Sequence, residues 1–196
     1  MADEKEHSTE YIHIKNMVCS CCKIFLKEKL EESGIIVHDI YLGKAKITYN
    51  KTQLSHEDIN EVLKRYGFSL LENREDRLVS EIKVAIIELV HHLNNVNSIV
   101  RKSDYLVEKL GFSYPHLSKI FSEHEEITLE KFIINQKIER IKHLLEDDEY
   151  SLSEIAYMMD YSSVQYLSNQ FKKITGVTVS QFKSGSEVVK KGIDEF

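Results

Sequence analysis

Two stretches in the second half of this chain repeat one plan, and that repeat limits the possible folds more than any other feature. The first covers residues 103–113 and continues through 114–123; the second covers 151–162 and continues through 163–174. Each reads as a short helix, a tight turn, a serine cap and a second helix, which is the grammar of a helix-turn-helix, written twice. In the second copy Ser151 and Glu154 have capping-box spacing, and Leu152, Ile155, Ala156 and Met159 make an inward face. The turn needs a residue that tolerates left-handed backbone. Gly111 supplies it in the first copy and Asp160 stands there in the second. Ser113 and Ser162 are the expected caps of the following helices, whose inward residues are Leu117, Ile120 and Phe121 in one and Val164, Leu167 and Phe171 in the other.

Residues 128–146 between the copies read as unbroken helix, with Ile134, Ile138, Ile141 and Leu145 as its apolar stripe. A helix of this length spans about 28 Å. Neighbouring major-groove openings on one face of B-DNA lie roughly 34 Å apart. Such a rod suits two reading helices held by one chain.

These residues carry a resemblance. Leu106-Val107 with Gly111-Phe112-Ser113, Lys137-Ile138 on a connector ending in Leu144-Leu145, Ile155-Ala156, and above all residues 166–182 resemble the DNA-binding domain of AraC/XylS-type regulators. The likeness covers about residues 80–184. That family usually has Gly at the place of Asp160 and Pro at the place of Val179, and neither change removes a helix. By family position the base readers are Tyr114, His116, Ser118 and Lys119 in the first unit, and Ser163, Gln165, Tyr166 and Asn169 in the second. Gln and Asn pair bidentately with adenine, and Lys with guanine. Lys172 and Lys173 stand where they reach phosphates.

The first half reads differently. Strands are expected at residues 11–15, 36–42, 44–49 and 68–71, with helices at 21–33 and 55–66. Ile12 and Ile14 face one side of the first strand, and Tyr11, His13 and Lys15 the other. Ile24, Phe25 and Leu30 are the expected inward residues of the first helix, and Ile59, Val62 and Leu63 of the second. Ser55 caps the second, with Asp58 in its first turn. Gly34 and Gly67 fit left-handed helix ends, and Gly43 a turn. The order β-α-β-β-α-β is the ferredoxin-like plan.

The three cysteines, Cys19, Cys21 and Cys22, fall within four positions between the first strand and first helix. Such crowding makes a local site and not a disulfide framework. With Met17 they form a Met-x-Cys-x-x-Cys loop, and residues 10–72 resemble a heavy-metal-associated domain of the copper-chaperone type. The resemblance implies near-linear coordination of Cu(I), or another thiophilic metal, by Cys19 and Cys22, with Met17 packed beneath and Phe68 close by. Thiolates at a helix N-terminus are favoured by backbone N–H groups, and soft sulfur suits Cu(I), or Zn where four ligands converge. Asn16 and Val18 replace the family's usual Gly and Thr, and Cys21 is extra. Cys21 is open as a third ligand, a link to another subunit or a spare thiol. A CxxC pair also suits a redox switch.

Residues 74–95 read as a linker running into an amphipathic helix with Leu78, Ile82, Ala85, Ile86 and Leu89 on one stripe; His91 and His92 read as surface residues at its end. The expected divisions are therefore 1–73, 74–95, 96–185 and a tail at 186–196. The first is an α+β ferredoxin-like domain and the third all-α with two helix-turn-helix units.

The net charge is −6, and each side of Asn95 carries 13 basic and 16 acidic residues. Neither half is a basic domain, so DNA binding must rest on locally placed donors. No apolar run reaches the ~20 residues of a membrane helix, and the acidic start lacks signal-peptide character, so a cytoplasmic protein is expected. No nucleophile-base arrangement, phosphate-binding glycine loop or paired carboxylate site is legible; residues 146–149 read as a solvated acidic loop. The expectation is a non-enzymatic transcription regulator that binds double-stranded DNA, works with RNA polymerase or other transcription machinery, and responds through its N-terminal domain to a thiophilic metal or to thiol redox state. Two reading heads per chain leave a homodimer open but not required. The rival is a metal-trafficking protein whose helical half docks a protein partner.

Overall fold

A computed structural model of the chain describes residues 6–17, 19–92 and 102–185. The expectations that touch Val18, the stretch 93–101 and the tail 186–196 lie outside the described residues. The chain divides into two compact units, Met1–Val84 and Ala85–Phe196, and the fold is mixed α and β.

In the first unit β1 (His7–Lys15), α1 (Ser20–Glu32), β2 (Ile36–Tyr41), β3 (Lys44–Asn50), α2 (His56–Lys64) and β4 (Ser69–Leu70) follow in chain order. The strands form one antiparallel sheet in the order β2-β3-β1-β4. β1 begins four residues earlier than its alternation suggests, because His7 to Glu10 pair with β3 from Asn50 to Ile47. Period-two alternation turns Ile12 and Ile14 of β1, and Ala45, Ile47 and Tyr49 of β3, to one side. There they meet Leu26 and Leu30 of α1 and Ile59 and Leu63 of α2. Ile24 and Phe25 do not join them: Ile24 is 72% exposed and Phe25 39%. The inward row is Cys22, Leu26 and Leu30, at steps of four, and it carries Ile24 and Phe25 off the sheet. Phe25 instead meets the edge of Tyr66, ring centres 5.1 Å apart. Ser55 and Asp58 close a capping box on α2, and Gly34 and Gly67 take the left-handed conformation that ends each helix.

α3 (Arg74–Ile87) starts without a preceding linker stretch, since the Asn73 side chain already accepts the Glu75 backbone N–H. The division between the units falls inside this helix. Leu78, Ile82, Ala85 and Ile86 are buried as its stripe predicts, whereas Leu89, in the π-helical turn Glu88–His92, is half-buried.

The second unit holds α4 (Lys102–Leu110), α5 (Tyr114–His124), α6 (Leu129–Asp147), α7 (Leu152–Met158), α8 (Val164–Thr175) and α9 (Val179–Lys183). Thr128 caps α6 through the Lys131 N–H, and Ser151 and Glu154 form the expected box on α7. Asp160 takes φ 55°, the left-handed turn expected at this position. Two serine expectations change. Ser113 sits at the α5 N-cap without a side-chain bond. The cap of α8 is Ser163, not Ser162, because the extended residue next to the helix presents its hydroxyl to the Tyr166 N–H.

α6 is the unit's spine. Ile138, Ile141, Leu144 and Leu145 pack with Ile155, Ala156, Leu167, Phe171 and Val179, and Leu152, Met159 and Val164 lie partly buried against that cluster. Phe132 meets Phe121 of α5, ring centres 5.3 Å apart. Burial goes well beyond the apolar stripe: Asn135, Gln136, Lys137, Glu139 and Lys142 are also buried, while Ile134 is only half-buried. Lys142 and Glu139 pair at 2.7 Å. Gln136 is within hydrogen-bond reach of His91, at 3.1 Å, so His91 is a half-buried packing residue and not a surface one.

Candidate nucleic-acid interface

α5 and α8, the second helices of the two helix-turn-helix units, are amphipathic segments held by their apolar sides. In α8 Leu167 and Phe171 are sealed in the core, so helical geometry turns Gln165, Tyr166, Asn169, Lys172 and Lys173 outward, all of them exposed. The Gln165 amide donates to the Asn169 carbonyl oxygen at 3.1 Å, which aligns two amides on neighbouring turns. Tyr166 is 54% exposed, and its ring centre lies 5.8 Å from that of Tyr161. Lys172 and Lys173 occupy the last turn. α8 contains no acidic residue, so this surface offers donors and positive charge although the whole chain is acidic. Ser163 is exposed but already commits its hydroxyl to the helix cap.

In α5 Leu117, Ile120 and Phe121 are buried. His116 and Lys119 are exposed on the other side. The His116 ring lies 5.2 Å from the Phe112 ring. The Lys119 side chain is 74% exposed and reaches Glu123 only at 3.8 Å, a pairing too loose to hold it back from another anion. Tyr114 and Ser118 are placed differently. The Tyr114 hydroxyl donates to Glu130 Oε1 at 3.0 Å, and the Ser118 hydroxyl lies 3.5 Å from the same oxygen. Burial, and then the bond to that carboxylate, push the Tyr114 phenol up to about 12. It stays a neutral donor at any physiological pH.

Sequence reasoning gives no structural role to two residues that shape these surfaces. One is Glu130, whose grip on α5 is a tertiary contact with no local signal. The other is Lys137, whose ammonium donates to the Met159 carbonyl at 2.5 Å and lies 4.9 Å from the centre of the Tyr161 ring. A lysine beside an isoleucine stripe is ordinarily a solvated one, so only the packing reveals it.

The thiols occupy the first unit. Cys19 is the N-cap of α1, in extended backbone, and its sulfur accepts the Cys22 N–H at 3.3 Å. The Cys19 and Cys22 sulfurs are 2.8 Å apart, and Cys22 packs against the core. Met17 is buried in that core and Phe68 lies partly buried against it. Cys21 is exposed. Among the described residues no group of three or more His, Cys, Asp or Glu converges as a metal cage would. The donor set therefore fits a two-coordinate soft ion such as Cu(I) and falls short of the four ligands that zinc takes in structural sites.

Residues 106–185 match a family model described as a helix-turn-helix domain. The chain is 30% identical over 189 residues to the xylose operon regulatory protein of Escherichia coli K12, across 92% of this chain and 48% of that protein. It is 26% identical over 116 residues to the Msm operon regulatory protein of Streptococcus mutans, across 59% of this chain and 41% of the relative. Among solved structures, the transcriptional regulator CdpR from Pseudomonas aeruginosa aligns with a TM-score of 0.45 and 12% identity, over 90% of this chain and 55% of that one. The chain thus spans about half the length of the first of these relatives and about two fifths of the second. The second unit carries a helix-turn-helix domain like those of transcription regulators, and no helix among the described residues is long and apolar enough to cross a membrane.

Proposed function

We propose that this chain is an AraC/XylS-type transcription regulator that reads double-stranded DNA with α5 and α8 and senses a thiophilic metal through a ferredoxin-like N-terminal domain. The observation that carries the DNA reading is the outward face of α8. Gln165 and Asn169 present aligned amides, Lys172 and Lys173 present positive charge, and Leu167 and Phe171 fix the helix from behind. Amides of this kind pair with adenine edges, and the lysines hold the register on phosphates. His116 and Lys119 on α5 are the open readers of the first head. Tyr114 and Ser118 are engaged by Glu130, and Ser163 by the cap, so these three act mainly by shaping the helices that carry the readers. No catalytic step is assigned to the protein.

The metal reading rests on the Cys19–Cys22 pair at the start of α1, with Met17 buried in the core that Cys22 packs against. Bound Cu(I) would supply a soft monovalent cation that offsets one of the two thiolate charges and would leave a net charge of −1. The chain's part is to hold those thiolates: the α1 N-terminus favours their negative charge, and Cys22 is anchored by the core while Cys19 stands on extended backbone that can adjust. Binding there would bias the DNA-binding half through the segment 74–95. The cytoplasm is the compartment in which such thiols stay reduced and DNA is at hand.

Selection of bound DNA from a random duplex pool, with and without Cu(I) under reducing conditions, tests both parts. A defined operator, bound less tightly as salt rises, is the expected result. Recovery of no sequence defeats the DNA reading. A Cu(I) effect that survives Cys19→Ser with Cys22→Ser defeats the metal reading alone.

A further inference from the structure

We infer that Glu130 and Lys137, two turns apart on α6, are positioning residues that lock the two reading heads to the connector and so set the operator spacing the protein accepts. The inference rests on the reading that α5 and α8 enter DNA.

Lys137 is 7% exposed, which is rare for a lysine and tolerated only when the ammonium is bonded. Its partner, the Met159 carbonyl, belongs to the C-cap residue of α7, where helical carbonyls lack partners and the helix end is negative. The same ammonium faces the Tyr161 ring. The Tyr161 hydroxyl in turn donates to Gln170 of α8 at 2.5 Å, and its ring neighbours that of Tyr166 on the outward face. One buried side chain of the connector therefore reaches the turn of the second head, and the turn reaches the reading helix. At the other end, Glu130 receives Tyr114 and Ser118, one turn apart on α5.

Apolar packing alone would leave the heads some freedom, because it has little directional preference. Hydrogen bonds of a charged group do not allow that freedom. A head that slides or rotates leaves a buried ammonium without its carbonyl, and buried ions that lose a partner are costly. The second head has this buried contact and the first has the exposed Glu130 carboxylate facing the Tyr114 and Ser118 hydroxyls, and the two arise about 10 Å apart on one rigid helix. Spacing between the reading helices is thereby fixed by two specific bonds in addition to the core.

The test compares the selected operator with versions carrying one base pair added or removed between its two contacted segments. Wild type is expected to discriminate sharply among them. Lys137→Met should reduce that discrimination roughly tenfold, the size of losing one charge-assisted bond. Lys137→Arg, which can still donate to the Met159 carbonyl, should restore it. Glu130→Gln keeps an acceptor and should resemble wild type, whereas Glu130→Ala should not. If Lys137→Met fails to fold, Tyr161→Phe serves instead, since it cuts only the bond to Gln170 and is expected to relax spacing in the same direction. An unchanged spacing ratio, with affinity lowered equally on every operator, overturns the inference alone. A wild-type chain that selects no DNA overturns the functional reading beneath it as well.

Discussion

Gln165 and Lys172 illustrate how neighbouring residues on one helix face are expected to do different work. Gln165→Ala removes an amide aimed outward in a fixed alignment with Asn169. Operator binding should weaken by ~1–3 kcal/mol and tolerate more bases at one position. Lys172→Ala removes a charge from the last turn of α8. It should weaken binding on every sequence alike and lower the salt slope by about 1. Gel shifts at several salt concentrations separate the two outcomes. A single histidine gives a different prediction. Burial, and then the charges of Arg77 and Lys44, hold His13 below its ordinary 6.5 against the pull of Glu81. The unfolded chain therefore takes up this proton first as pH falls. Stability should decline as pH drops through 6.5 toward the folded value, and be insensitive to this group above it. His13→Gln should flatten that part of a stability-versus-pH profile measured by denaturant midpoint.

At the scale of elements, the caps give the sharpest expectations. Ser163→Ala should cost about 1 kcal/mol in denaturant unfolding, because its hydroxyl holds the Tyr166 N–H, and Ser162→Ala should cost little. Equal losses at both positions would contradict the cap assignment. Phe171→Ala should cost about 3–5 kcal/mol, since the ring is fully buried between α6, α7 and α9 residues. Much of this level is legible in the sequence, because caps and left-handed turns depend on local chemistry. Gly111, Asp160 and the Ser151–Glu154 box lie where their residue types require. Choosing between adjacent serines was not possible from sequence, since Ser162 and Ser163 differ only in backbone conformation. The inward row of α1 was misplaced because Ile24 and Phe25 are more apolar than Cys22, yet the sheet beneath selects position and not hydropathy. The polar burial along α6 is invisible for a related reason: Lys137, Glu139 and Lys142 are buried although their residue types are ordinarily solvated, and Lys137 finds its partner at Met159, distant in sequence.

For the whole molecule, the two compact units carry separable chemistry, thiols in one and the helix-turn-helix domain in the other. The repeat of one supersecondary plan on either side of α6 is what made the second unit recognisable. The N-terminal unit was legible in its order of elements and in the burial of Met17, while what its cysteines hold depends on chemistry that spacing alone does not specify. The central claim is that one chain reads duplex DNA with two helices joined by a rigid connector. Hydroxyl-radical footprinting of a single chain on its selected operator tests this most directly. Two protected patches on one face of the duplex, about one helical turn or roughly 34 Å apart, are the predicted result, with the patch assigned to α8 lost in Gln165→Ala/Asn169→Ala. A single patch that persists in that variant, or protection spread evenly along any duplex, would contradict it.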